Sequence, residues 1–235
     1  MTERSLNNVP DALKANVKAS IEKIRSDIGG NAVLMAATKT VPVEVINYAI
    51  TECGLTDIGE NRVQELLSKY DELEKDKVNL HFIGTLQPNK VKYIVGKVCL
   101  IHSLDSVKLA EEISKRSVKI GTVTDCLCEI NIGNEEAKGG IDEKYAEEFI
   151  RSVSTLEVIK IRGIMVIGPH CENTEDYIQF FERTKALFDD LSCKGLLSEK
   201  TILSMGMSDN YSLAVRHGST LVRPGSAIFG ARNYT

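Results

Sequence analysis

Between Asn7 and the pair Gly29–Gly30, apolar residues fall at Leu13, Val17, Ile21, Ile24 and Ile28. Those intervals place them on one face of a helix, and the two glycines end it. From residue 31 the pattern becomes a repeat. The run NAVLMAAT (31–38) is apolar and of strand length; VEVINYAITEC (43–53) follows Pro42 with Ile46, Ala49, Ile50 and Cys53 on one helical face. TDIG then precedes a helix carrying Val63, Leu66, Leu67 and Tyr70, and LHFIG (80–84) precedes LQPNKVKYIV. CLIHS (99–103) precedes a helix that Asp105 is placed to cap, and TVTDCLCEINI (122–132) precedes one bearing Ala146, Phe149, Ile150 and Val153. VIKIRGIMVI (158–167) leads to a long helix with Tyr177, Phe180, Phe181, Leu187, Phe188 and Leu191. TILSMG (201–206) leads to NYSLAVRHG, and STLVR (219–223) leads to GSAIFG.

Eight strand-then-helix units therefore follow a leading helix. The strands are mostly apolar at both alternating positions, as in strands covered on both faces. No linker or change of composition divides residues 1–235, so the pattern predicts one α/β domain, a (β/α)8 barrel with an extra N-terminal helix. The alternative is an open doubly wound sheet. Against it, no GxGxxG follows the first strand, and no GxxxxGK[ST] occurs.

Composition narrows the function. With 43% hydrophobic residues in 235, the chain has enough apolar surface for a full core. Twenty-nine basic against thirty-three acidic side chains give a net charge of −4, with no basic stripe to hold nucleic acid. Apolar runs fall well short of the ~18 residues that a membrane span needs. MTERSLNNVPDALK has no apolar signal core, so the expectation is a cytoplasmic protein. Six cysteines lack framework spacing, and the pair Cys126/Cys128 reads as two small buried residues on one strand face. The four histidines lie apart with no HxxxH, so no metal site is expected.

In such a barrel, chemistry sits at the C-terminal ends of the strands. That rule selects Lys39, the stretch Gly59-Glu60-Asn61, His81, Met165, the loop Ser204 to Ser208, and Arg223 with Pro224, Gly225 and Ser226. Lys39 directly follows an apolar strand, where desolvation favours the neutral amine that attacks a carbonyl. Gly206 with Ser208, and Gly225 with Ser226, fall in the two loops that usually bind phosphate in this fold, although both also read as ordinary turns and caps. Arg223 closes the last strand beside them, suited to a phosphate, a carboxylate or a ring nitrogen. A Schiff-base lysine, a phosphate cup and an arginine suit pyridoxal 5′-phosphate (PLP) or an aldolase-type site for a sugar phosphate, and the residues alone leave both open.

ATKTVP, IGENRVQE, HFIGTLQPNKVK, INIGNEEAKGGI, RGIM, LSMGMSDNYSLAV and VRPGSAIFGAR, in this order, resemble the YggS/PROSC family of pyridoxal phosphate homeostasis proteins. The resemblance runs from about residue 31 to the C-terminus. It implies a barrel similar to the N-terminal domain of alanine racemase. It also implies PLP as cofactor, held by Lys39 as a Schiff base. Ser208, Gly225 and Ser226 would bind the phosphate, Arg223 would face the pyridine nitrogen, and Asn61, His81 and Met165 would lie beside the ring. Pro224 stands where the family commonly has Ile, and RGIMVIGPH departs from the usual GLMT–P pattern.

An always-charged arginine leaves the ring nitrogen unprotonated and the ring a poorer electron sink. Alanine racemases add a second β domain and a tyrosine from the partner subunit; with five residues after GSAIFG, this chain is expected to carry neither. The resemblance thus implies a monomeric carrier or buffer of PLP with no catalytic residue, serving PLP-dependent apo-enzymes. A small PLP-dependent amino-acid racemase using the same lysine is the alternative. NEEAKGG (134–140) reads as a solvated surface loop, with a lid or docking site as the other reading.

Overall fold

The structure, a computed structural model, describes residues 9–133, 139–169, 171 and 173–230. Helix α1 (Asp11–Ile28) buries Val17, Ile21, Ile24 and Ile28, four of the five positions that its periodicity selects. It stops at Gly29, whose N–H reaches back to Arg25 O. Arg25 then donates to Cys53 O at 2.7 Å and Gly54 O at 2.6 Å, fixing the end of α1 to the chain beyond the first crossover helix. The helix start expected at Asn7 lies outside the described residues.

The strands are β1 (Val33–Ala37), β2 (Asp57–Glu60), β3 (Asn79–Phe82), β4 (Leu100–Leu104), β5 (Thr124–Asn131), β6 (Ile141–Asp142), β7 (Ile159–Val166), β8 (Ile202–Ser204) and β9 (Leu221–Val222). All pair in parallel. β1 lies between β2 and β9, and β4 pairs with β5 through Ile101↔Cys126 and Leu104↔Cys128. Those two seams close the sheet into an eight-stranded barrel, whereas a doubly wound sheet would keep two free edges. The extra strand, β6, lies outside the circle against the end of β5; two residues are too few to leave a periodic trace in the sequence.

Around the barrel run α2 (Val43–Thr51), α3 (Val63–Lys69), α4 (Val107–Ile120), α5 (Ala146–Val153), α6 (Thr174–Cys193), α7 (Tyr211–Arg216) and α8 (Ser226–Phe229). The third crossover is a 3-10 segment, Pro88–Tyr93, with i to i+3 bonds such as Lys90 N–H to Gln87 O at 2.9 Å. The cap of α4 is Ser106, not Asp105; its hydroxyl accepts from Leu109 N–H. Among the described residues no helix is long and apolar enough to cross a membrane.

Strand residues alternate between two cores. One parity, including Ala36, Ile58, Phe82, Ile101, Cys126 and Cys128, packs beneath the helices. The other fills the lumen with two smaller clusters, Met35 with Ile83 and Leu221, and Leu100 with Leu127 and Met165. Polar side chains share that lumen, and they lead upward to the site.

Candidate functional site at the C-terminal mouth of the barrel

Beyond β1 the chain turns through Thr38, Lys39 and Thr40 into α2. Three groups hold this turn. Thr38 is fully buried, its hydroxyl 2.8 Å from Glu60 Oε1. Lys69 on α3 donates to Thr38 O at 3.0 Å, to Glu60 Oε1 at 2.8 Å and to Glu65 Oε1 at 2.7 Å. Glu65 also accepts from the Thr40 N–H. Thr40 takes φ of 64°, a left-handed conformation that a β-branched residue avoids unless its surroundings impose it. Burial pushes the Glu60 carboxyl up, and the Lys69 ammonium and Thr38 hydroxyl draw it partway back. The other oxygen, Glu60 Oε2, is buried without a partner among the described residues.

Backbone geometry builds the facing wall. Ser208 lies in the loop after β8, and its hydroxyl oxygen accepts from Gly225 N–H at 3.0 Å and Ala227 N–H at 3.1 Å. It therefore caps α8 from a distance rather than the helix that follows it, leaving its O–H free to donate. Gly225 sits close under β1: a Cβ there would lie 3.1 Å from Ala37 O, a tight contact. Gly206, expected near an anion, serves packing instead. Its φ is 94°, and a Cβ would stand 2.6 Å from that of Ala214 on α7. Pro224, which has no N–H to give, contributes its carbonyl, accepting from Ala37 N–H at 2.9 Å.

Between the walls lies a cleft of about 300 Å³ that brings together Lys39, Asn61, Ser208, Arg223, Gly225 and Ser226, six of the eight residues that the family resemblance assigns to the cofactor. Ala37, Ile83, Ile167, Met207 and Asp209 complete it. Asn61 Oδ1 is buried with no hydrogen-bond partner among the described residues. A second hollow of about 330 Å³, toward Leu13 on α1 and Val45 on α2, shares Lys39, Gly225 and Ser226 with the first.

His81 and Met165 do not line this cleft; they lie one layer deeper. Side chains two residues apart on a strand share a face, and Ile83 and Ile167, two residues further on, take the positions at the mouth. Met165 packs against Leu100 and Leu127. His81 sits 3.0 Å from Asp57 Oδ1 through Nε2 and 3.0 Å from His102 Nε2 through Nδ1.

Arg223 is 6% exposed. Nη1 donates to Ser204 Oγ at 2.7 Å and Nη2 to Val166 O at 2.8 Å, so two of its nitrogens are fixed by the barrel wall. Burial draws its guanidinium down to about 10, with nearby Glu129 acting against the shift. Glu129 on β5 is pushed up to about 7 by burial and by Asp105, with Arg223 opposing.

Sequence reasoning missed Lys69, Glu65, Ile83, Ile167, Asp209 and His102. Lys69 and His102 did leave signals: a lysine four residues after Glu65 on one helix, and a histidine within an apolar strand. Of NEEAKGG, residues 134–138 lie outside the described residues.

Residues 10–233 match the family model described as alanine racemase, N-terminal domain. A curated relative from Aquifex aeolicus, named pyridoxal phosphate homeostasis protein, is 46% identical over 203 residues, covering 86% of this chain and 88% of that protein. The structure of PipY from Synechococcus elongatus with PLP bound superposes at a TM-score of 0.84 with 29% identity, over 91% of this chain and all of that one. Alanine racemase from Streptomyces coelicolor shares the fold, with a TM-score of 0.74 at 16% identity; the match spans 93% of this chain and 59% of that one. On these grounds the chain belongs to the pyridoxal phosphate homeostasis protein family, built on the alanine racemase N-terminal-domain barrel.

Proposed function

We propose that this chain binds PLP in the cleft at the barrel mouth and serves as its intracellular carrier and buffer, with Lys39 as the covalent attachment point. The observation that carries the reading is the convergence of Lys39, Asn61, Ser208, Arg223, Gly225 and Ser226 on one cleft, in a chain 46% identical to a named PLP homeostasis protein. The donor set suits the ligand. It offers a primary amine for the aldehyde, a guanidinium for the ring nitrogen, and two hydroxyls at the start of α8 for the phosphate. The unpartnered Asn61 Oδ1 is the kind of buried polar atom that a ligand satisfies. When bound, PLP supplies an electron-withdrawing ring joined through its aldehyde carbon to the lysine.

The protein's own part is to hold and to release. The clamp of Glu60, Glu65 and Lys69 fixes the turn from which Lys39 projects, and Ser208 ties the two phosphate-side loops together. Beside Lys39 and Arg223, the only titratable side chain in the cleft wall among the described residues is the exposed Asp209. Asp209 is thus the one carboxylate of that wall placed to act as a base beside Lys39, and its exposure to water supports the reading of no robust turnover of amino acids. PLP-dependent apo-enzymes are the proposed recipients.

Purified protein mixed with PLP is expected to gain a visible absorbance band that Lys39→Ala abolishes. An unchanged band in Lys39→Ala refutes the attachment. Single L-amino acids incubated with loaded protein are expected to stay L; racemisation at about 1 s⁻¹ or faster, an enzymatic rate, would establish a racemase instead.

A further inference from the structure

An unbroken file of polar side chains crosses the barrel lumen beneath the cleft. Asp57 opens β2 at the N-terminal end of the barrel and is 7% exposed. Its carboxylate accepts from Thr56 Oγ1 at 2.7 Å and Asn79 Nδ2 at 3.1 Å, and lies 3.0 Å from His81 Nε2. His81 Nδ1 is 3.0 Å from His102 Nε2, and His102 Nδ1 is 3.3 Å from Ser204 Oγ. Ser204 Oγ accepts from Arg223 Nη1 at 2.7 Å. His102 and Ser204 are fully buried, and His81 nearly so.

The two ends dictate the order between them. An ionised carboxylate only accepts and a guanidinium only donates. With both imidazoles neutral, a single arrangement satisfies every contact. Arg223 donates to Ser204, Ser204 to His102 Nδ1, His102 Nε2–H to His81 Nδ1, and His81 Nε2–H to Asp57. All the dipoles then turn their negative ends toward Arg223. Among the described residues this buried guanidinium makes no ion pair, and Glu129 is the acid whose field is felt at it directly, so Asp57 acts on it only through the file. A buried charge needs such compensation.

We propose that Asp57 is a positioning residue for Arg223, acting across the lumen through His81, His102 and Ser204 to fix the orientation of the guanidinium and to balance its charge. The inference deepens the PLP reading, since it takes Arg223 as the group that meets the cofactor ring.

Nitrogen-15 spectra of histidine-labelled protein without cofactor are expected to show His102, whose burial disfavours the charged ring, as a neutral imidazole protonated at Nε2 and donating to His81 Nδ1. An imidazolium, or a ring protonated at Nδ1, at His102 overturns the file. In protein loaded with PLP, Asp57→Asn and Ser204→Ala are each expected to move the pH midpoint of the visible band by about one unit. The double variant is expected to move it no further, because both cut one file. Unmoved midpoints, or additive shifts, overturn the positioning role. Should the unaltered protein bind no PLP, the proposed function falls, while the ring protonation states still judge the file on their own.

Discussion

Glu60 on β2 and Glu129 on β5 are the same residue type at the same end of one barrel, both buried and both with carboxyls pushed up by burial. Their neighbours differ. Glu60 has the Lys69 ammonium at 2.8 Å and a threonine hydroxyl, and with Glu65 it forms a strut under the Lys39 turn. Glu129 touches no cation among the described residues; Asp105 pushes its carboxyl further up, and only the more distant field of Arg223 pulls it back. A buried acid with a cation in contact acts as structure, whereas one without holds a proton.

Removing the cation tests this contrast most severely. Lys69→Met keeps the apolar stem but leaves Glu60 a buried, unpaired acid, and the expected loss in urea unfolding is about 3–5 kcal/mol. A loss below ~1 kcal/mol, the scale of a surface pair, would mean that the strut bears no charge. Glu129→Gln is expected to act in the opposite direction and to depend on pH. With a native value near 7 against an ordinary 4.5, the folded protein keeps a proton that the unfolded chain has released. Stability therefore falls as pH rises through that window, by about 3 kcal/mol in all, and levels off above it. Glu129→Gln should abolish the decline and stabilise the protein at pH 8 while changing little at pH 4. A decline that survives the substitution would place the responsible proton elsewhere.

The smallest effect sharpens the account of the Lys39 turn. Since Thr40 is held at a positive φ, Thr40→Gly should gain up to about 1 kcal/mol while keeping the N–H bond to Glu65. A loss would show that the threonine side chain contributes more than its backbone costs.

Much of this was legible in the amino-acid order, because covered parallel strands and amphipathic helices leave strong local periodicities. The strands of the barrel mostly coincide with apolar runs, β2 with its Asp-Ile-Gly-Glu being the exception, and α1 buries the face that its spacing selects. Local signals failed where a decision rested on one or two residues. Ser106 rather than Asp105 caps α4, Pro88–Tyr93 winds as a 3-10 segment, and the strand of Ile141–Asp142 is too short to see. At the site, the rule that chemistry sits at strand ends selected Lys39, Asn61 and Arg223, which line one cleft. It also selected His81 and Met165, which lie one layer below that cleft, since alternation tells which face a residue shares but not how far along the strand the mouth lies. Partnerships between elements, such as Lys69 with Glu60 or His81 with His102, depend on the strand stagger of the closed barrel and were beyond local reading.

Attachment of PLP is proposed at one amine, Lys39, among many lysines. Reduction of the PLP-loaded protein with borohydride, followed by peptide mass mapping, is expected to find the pyridoxyl phosphate mass on Lys39 at near one equivalent. Label on a different lysine, with Lys39 unmodified, would contradict it.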